Sequence, residues 1–192
     1  MKTKMSYQRQ LTTVMALLLV AAAVLACNFG DETDKANKLV DEGNTAIQDA
    51  KKYYADAEEK KEKMINAVDA IKGDADLEAA RALAKEVITA YDKTKSKCEE
   101  VAKKFEDASK LKVNDKFKDY LTIKVSEFKK RAEIVDAAKG TPQALIDSKD
   151  KSTFISAAKS TNEKVEKLTK EADDFAAQAD KVQKENKDII KS

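Results

Sequence analysis

Apolar residues recur in alternating steps of four and three along three long stretches of this chain, and this spacing restricts the possible folds most. The first stretch covers residues 36–71 and is interrupted only by Lys61. The second covers residues 80–108, and the third covers residues 154–189. Steps of four and three average 3.5 residues, which is typical of helices that wrap around each other with a left-handed twist. The spacing therefore predicts three long helices that pack through narrow apolar faces.

A fourth helical region lies between the second and third stretches, with a less regular apolar pattern. Its expected buried face consists of Phe117, Leu121, Val125, Phe128, Ala132 and Val135. The sequence does not show the alternation of apolar and polar residues that is typical of half-buried strands. An all-α fold is therefore predicted.

Glycines and capping residues mark the ends of these helices. Gly73 is expected to end the first helix in the left-handed conformation, with Asp74 or Asp76 as the cap of the second helix. Residues 110–114 join the second helix to the third. These connections are short, so successive helices should run antiparallel.

The third helix should begin at a cap formed by Asn114 or Asp115. Gly140, Thr141 and Pro142 then predict a stop and a new start. The glycine follows a helix end, the threonine caps the next helix, and the proline lies in its first turn. A short helix should therefore precede the last long one.

These features together predict an elongated antiparallel four-helix, coiled-coil-like bundle. At 1.5 Å per residue, the three longest helices should each measure about 50 to 60 Å. The third helix matches them only if the short helix after Pro142 extends it. We expect one domain, residues 33–192, because no interior linker is long enough to separate two.

The N-terminal region has the pattern of an export signal. Lys2, Lys4 and Arg9 form a basic head, and residues 11–24 are apolar apart from two threonines. A basic head followed by a short apolar run and small residues is typical of a cleaved signal peptide. The run is shorter than the roughly 20 residues that a transmembrane helix needs.

The end of this run is Val24-Leu25-Ala26-Cys27. These four residues resemble the lipobox of bacterial lipoproteins, and residues 22–26 would also suit general signal peptidase. The lipobox resemblance implies cleavage between Ala26 and Cys27, with Cys27 acylated as the first mature residue. It divides the chain into a signal peptide (residues 1–26), a lipidated N-terminus and short tether (residues 27–32), and the helical domain.

The same resemblance implies where the protein is located. Acylated Cys27 would attach it to a membrane of the cell envelope. Asn28 follows the cysteine, where an aspartate would be the inner-membrane signal of enterobacteria. The resemblance therefore implies the periplasmic face of the outer membrane, and the mature part resembles a helical-bundle envelope lipoprotein.

The mature chain is nearly neutral. The whole sequence has 37 Lys and Arg against 35 Asp and Glu. Loss of Lys2, Lys4 and Arg9 with the signal leaves 34 against 35, a net charge of −1. Interleaved Lys and Glu form no basic surface for nucleic acid. We therefore expect no nucleic-acid partner.

The sequence shows no catalytic pattern. It contains no histidine, which is the commonest general base and a common metal ligand. Cys98 occupies an apolar position of the second helix, which favours a buried residue over a reactive nucleophile. Asp74, Asp76 and Glu78 have a spacing that faintly suggests calcium, but helix capping explains them. We expect neither an enzyme nor a metal or other cofactor.

Polar and aromatic residues near the apolar faces leave alternatives open. Lys61 and Asn186 fall on apolar positions and either fix helix register or lie beside solvent. Tyr53 and Tyr120 either form a partner surface or widen the apolar face.

The sequence favours a non-enzymatic, lipid-anchored envelope protein that acts as a scaffold, spacer or partner-binding bundle. The alternative is a periplasmic chaperone or ligand carrier. The expected partner is another envelope protein, and the oligomeric state is open. The end of the bundle farthest from Cys27 carries the least regular backbone, and loops often carry function. We therefore expect partner contacts at Gly73, Asp74, Thr141 and Pro142.

Overall fold

The computed structural model describes residues 32–148, 151–187 and 189–190, with the backbone alone at residues 151 and 152. The described chain forms four long helices and one short helix and contains no strand. The helices are α1 (Thr33–Ala70), α2 (Asp74–Ser109), α3 (Asp115–Ala138), α4 (Gly140–Asp147) and α5 (Lys151–Glu185). The predicted all-α helical bundle is confirmed.

Two contacts far apart in sequence fix the direction of the helices. At one end of the bundle, Lys112 in the α2–α3 turn donates its backbone N–H to Oε2 of Glu32, just before α1, at 3.1 Å. At the other end, Arg81 near the start of α2 donates to the carbonyl of Ser148, just after α4, at 2.8 Å. Successive long helices therefore run antiparallel, as predicted. The 38 residues of α1 give the bundle a length of about 57 Å.

Packing follows the order of the chain. Helix α1 packs along α2, α2 along α3, and α3 along α5. With 24 residues, α3 is only about 36 Å long. Helix α4 continues beyond its end and packs against α2 and α5. The short helix therefore extends the third one, which is the condition for the third helix to match the others in length.

The interior contains two apolar clusters. The lower core lies near the start of α1 and contains Val40, Phe105, Phe117, Phe128 and Ile190, among others. The upper core lies near the α1–α2 turn and contains Met64, Val87, Tyr91, Leu145 and Phe154, among others. Most positions of the predicted apolar faces are buried. In α5, however, Ala158, Thr161, Val165 and Leu168 are only half-buried, so this helix is less covered than its pattern predicts.

The start of α2 differs from its prediction. Gly73 does not end α1 in the left-handed conformation, because its backbone is extended, with φ −162°, and it is the N-cap of α2. Neither Asp74 nor Asp76 occupies the N-cap position. The carboxylate of Asp76 instead accepts the backbone N–H of Lys72 at 2.9 Å, which satisfies a donor just before the helix. The predicted cap of α3 is confirmed, since Oδ1 of Asn114 accepts the N–H of Lys116 at 2.8 Å.

The junction of α3 and α4 also differs from its prediction. The residue between them, Lys139, has nearly helical angles (φ −61°, ψ −19°), and Gly140 is the first residue of α4 instead of a left-handed stop. Thr141 is therefore inside the helix and not its cap. Pro142 lies in the first turn, as predicted, and has no N–H to donate to the preceding turn. Helix α4 consequently follows α3 after a break of one residue.

A close approach of helices explains the glycine at this junction. A Cβ at Gly140 would lie 2.6 Å from Oγ1 of Thr161 in α5. Glycine is therefore required here by the neighbouring helix and not by its own backbone conformation.

Candidate functional site

A buried ion pair joins two residues of α3, Glu127 and Arg131, that are one helical turn apart. Glu127 is 1% exposed and Arg131 is 6% exposed. Nε of Arg131 donates to Oε1 of Glu127 at 2.7 Å, and Nζ of Lys124 donates to its Oε2 at 2.5 Å. Removing charges from water is costly unless they are paired and hydrogen-bonded. The two cations hold both oxygens of Glu127, so this carboxylate is fully satisfied.

These residues belong to a second heptad stripe on α3, which the sequence interpretation missed. All members but the last precede a residue of the predicted apolar face by one position. The stripe consists of Tyr120, Lys124, Glu127, Arg131, Ile134 and Ala138. Helix α3 buries two neighbouring stripes because it packs between two helices, α2 and α5. The steps of four and three can be read in the sequence. Its three charged members, Lys124, Glu127 and Arg131, are however typical of an exposed face.

Arg131 lies within electrostatic reach of side chains from the three other long helices. Burial, and then the positive charge of Arg131, lower the pKa of Lys51 on α1. On α2, burial raises the pKa of Cys98 to about 12, against a smaller opposing effect of Arg131. On α5, burial raises the pKa of Asp173, which Arg131 again opposes. The guanidinium is therefore central in the bundle.

Buried polar atoms without a protein hydrogen-bond partner occur at four positions in the described residues. They are Nη2 of Arg131, Nε2 of Gln183, Oδ1 of Asn37 and Nδ2 of Asn44. An unsatisfied buried donor or acceptor costs about 1–3 kcal/mol. We call these the four unpaired polar atoms.

Asn37 and Asn44 lie on the flank of α1 that faces away from α2. They are one heptad apart, so they share one side of the helix. The opposite flank carries Glu42 and Asp49, which form ion pairs with α2. The asparagine atoms are buried, so this flank of α1 is also covered.

A second polar contact lies in the upper core, between α1 and α2. The hydroxyl of Tyr91 donates to Oε1 of Glu58 at 2.5 Å, and Nζ of Lys61 lies 3.5 Å from Oε2 of Glu58. The Tyr54 and Tyr91 rings are 6.3 Å apart. Burial, and then the charge of Glu58, raise the pKa of Tyr91. Lys61 thus keeps a half-buried place on the apolar face by pairing with Glu58.

Asn186 lies just after α5 and supports the end of that helix. Its side chain donates to the carbonyl of Val182 at 2.7 Å. Its own carbonyl accepts the N–H groups of Ile189 and Ile190. The proposal that Lys61 and Asn186 fix helix register stays a prediction.

The residues predicted as sites have different positions in the structure. Cys98 is 4% exposed, so its predicted burial is confirmed. Gly73 and Asp74 are exposed at the upper end of the bundle. Thr141 and Pro142 lie at the same end, but both are buried. The first turn of α4 therefore faces its neighbours, and the partner contacts predicted at these four residues stay a prediction.

Ala26 and Cys27 lie outside the described residues, so cleavage and lipidation stay predictions. Tyr120 is buried in the lower core, which supports its reading as a widened apolar face. Tyr53 is half-buried beneath Nζ of Lys93, 5.8 Å from the ring centre.

Residues 32–148, 151–187 and 189–190 lack two features. No helix among them is both long enough and apolar enough to cross a membrane. In the same ranges, no three His, Cys, Asp or Glu side chains are grouped so that they could hold a metal ion. Comparison of the chain with protein-family models, curated proteins and solved structures finds no match.

Proposed function

We propose that this chain is a lipid-anchored envelope protein whose helical bundle acts as a spacer or partner-binding scaffold. The anchor would be Cys27, at the end of the lipobox-like residues Val24 to Cys27. The proposed location is the periplasmic face of the outer membrane, and the proposed partner is another envelope protein.

The contact between Glu32 and Lys112 supports the spacer part of this proposal. Both the backbone N–H and the carboxylate of Glu32 bond to the backbone of Lys112, at 3.5 and 3.1 Å. Only residues 28–31 separate Glu32 from the anchor, a reach of about 18 Å at most. A membrane attached at Cys27 would therefore lie near the lower end of the bundle, and the Gly73 turn would project about 57 Å beyond it.

The side-chain chemistry supports a role without catalysis. A thiolate is the nucleophilic form of cysteine, and burial raises the pKa of Cys98 to about 12. The buried carboxylate of Glu127 is held by Lys124 and Arg131. Both side chains, Cys98 and Glu127, lie inside the bundle, at 4% and 1% exposure.

The anchor can be tested by changing one cysteine at a time. In cells that process lipoproteins, Cys27→Ser should release the domain from membranes or stall its processing. Intact mass of the unaltered protein should show a diacyl or triacyl group on Cys27. Cys98→Ser is the matched control and should leave both results unchanged. An unmodified N-terminus at or beyond Asn28 would refute the anchor.

The orientation needs its own experiment. Fluorophores placed at Lys112 and at Asp74, in separate single-label proteins, can be exposed to a quencher embedded in the bilayer. We expect strong quenching at Lys112 and little at Asp74. Equal quenching at both positions would show that the bundle lies along the membrane, which contradicts a spacer.

A ligand carrier is the second candidate function. The four unpaired polar atoms favour it, since a bound ligand would supply partners for buried atoms that have none in the protein. The apolar face of α5 is also only half-buried over part of its length, so the bundle interior is less tightly covered there.

A further inference from the structure

We propose that the bundle opens like a hinge along the side where α1 and α5 meet, while the α2–α3 side stays closed. We call the side between α1 and α5 the α1–α5 seam. Opening gives water access to the lower core and to the four unpaired polar atoms. This motion goes beyond the proposed scaffold role and does not depend on the membrane anchor.

The α1–α5 seam has less packing than the other sides of the bundle. Helix α1 packs along α2, α2 along α3, and α3 along α5, whereas the described helices show no extended packing of α1 against α5. Both helices nevertheless contribute to the lower core, α1 through Val40 and α5 through Ala179. The two helices therefore cover a common interior without being held together along their length.

One heptad position of α1 lies on the flank that faces away from α2. Asn37 and Asn44 occupy this position, and Ile65 occupies it again three heptads after Asn44. Oδ1 of Asn37 and Nδ2 of Asn44 are buried without a protein partner, whereas Ile65 is 41% exposed. The position thus carries polar atoms where it is buried and an apolar side chain where it is exposed. This is the reverse of the arrangement that a permanently closed interface favours.

Helix α5 repeats the same arrangement. Ile155 and Gln183 are four heptads apart, so they share one heptad position. Ile155 is 54% exposed, while Gln183 is 7% exposed and its Nε2 has no protein partner. Within the part of the chain that the structure describes, Ile65 and Ile155 are the exposed large apolar side chains. Both lie toward the upper end, on the two helices that border the seam.

The unpaired polar atoms make the closed form less favourable than its apolar contacts alone would. Besides the two asparagines and Gln183, the fourth atom is Nη2 of Arg131, on the α3 stripe beside α5. A buried donor or acceptor without a partner retains its full desolvation cost, and water relieves this cost when the group is exposed. Opening at the α1–α5 seam therefore recovers hydrogen bonds that the closed bundle lacks. The loss of apolar contacts in the lower core opposes it.

The opposite side of the bundle is tied at two levels. Nζ of Lys95 on α2 lies 2.8 Å from Oδ1 of Asp136 on α3. Nearer the upper end, Arg81 on α2 donates to the carbonyl of Ser148, just after α4, at 2.8 Å. A rotation about the α2–α3 interface can keep these contacts, with α1 still on α2 and α5 still on α3. The α2–α3 side is therefore the hinge.

Distances between spin labels on the full chain test the opening. The background carries Cys27→Ser and Cys98→Ala, which removes both native cysteines. Nitroxides at Ile65→Cys and Ile155→Cys then report across the seam from two exposed positions. We expect two distances in a frozen sample, one for the closed bundle and a longer one for the open form.

A second pair of labels controls for the mobility of the nitroxides. Ser96→Cys on α2 and Glu133→Cys on α3 are exposed positions on the hinge side. This pair should give one narrow distance. If the Ile65 and Ile155 pair gives a single distance as narrow as this control, the seam does not open and the proposal is wrong.

Two matched substitutions on α5 connect the opening to an unpaired polar atom. Gln183→Met keeps the length of the side chain but removes the buried amide, so the population at the long distance should fall about fivefold or more. Gln178→Met makes the same change at an exposed position of the same helix and should leave both populations unchanged. Equal effects of the two substitutions would contradict the role of Gln183. The comparison of the two label pairs needs neither substitution.

Discussion

Adding one methyl group at Gly140 should weaken the bundle, because this residue lies directly against α5. The new Cβ would be 2.6 Å from Oγ1 and 3.3 Å from Cγ2 of Thr161, and real Cβ atoms essentially never approach within 3.0 Å. Thr161 is β-branched, so few rotamers are open to it in a helix. Relief would therefore require α5 to move away from the start of α4.

Two opposing effects set the size of the change in Gly140→Ala. Alanine stabilises a helix by up to about 1 kcal/mol relative to glycine, and by less at the first residue of a helix. Overpacking in a filled interior typically costs about 1–3 kcal/mol. We expect the clash to dominate, with a net loss of about 1 kcal/mol in the free energy of unfolding. For a domain of this size, the melting temperature should fall by roughly 2–4 °C.

A double-mutant cycle with Thr161→Ala isolates the contact. Without the threonine Oγ1 and Cγ2 atoms, Gly140→Ala should become neutral or stabilising by up to about 1 kcal/mol, as measured by urea unfolding. Gly73→Ala is the control, because a Cβ there meets nothing within 4 Å. Its effect should not depend on Thr161. If Gly140→Ala costs the same with and without Thr161, the close approach of α4 and α5 is wrong.

Two further predictions concern titratable side chains. Cys98→Ala should cost about 1 kcal/mol or less in unfolding free energy. The native thiol should react slowly with a bulky reagent but quickly after denaturation. Rapid labelling of the native protein would contradict its burial. Hydrogen bonds from Lys139 and then Lys95 lower the pKa of Asp136 to about 2. This carboxylate should therefore stabilise the fold above its unfolded pKa near 4, and the effect should be lost as the pH falls toward 2. Asp136→Asn should therefore make the unfolding free energy less steep between about pH 5 and pH 2, and an unchanged acid profile would count against the two lysine contacts.

The long helices were predictable because their signal is local. Each apolar face repeats every 3.5 residues, so its period can be read without knowing which helix will cover it. The cap at Asn114 was predictable for the same reason, since its side chain bonds to a backbone group two residues ahead. Position in the chain and nearby residue types were sufficient for these features.

The helix ends at Gly73 and Gly140 were predicted wrongly for a common reason. A glycine at a boundary fits a left-handed stop, an extended N-cap or a close helix contact equally well. The first residue became the N-cap of α2 and the second lies against Thr161. Only the course of the neighbouring chain distinguishes these possibilities.

By itself, the amino-acid sequence determined the helical class, the approximate helix lengths and the antiparallel order, because periodicity, caps and short connections are local properties. The tertiary structure alone decided that α3 buries a second face. It also decided that Glu127 and Arg131 lie inside the bundle and that the first turn of α4 faces its neighbours. The physical reason is that burial depends on what packs from outside a helix. A charged stripe looks like a solvated surface until a second helix, here α5, removes it from water.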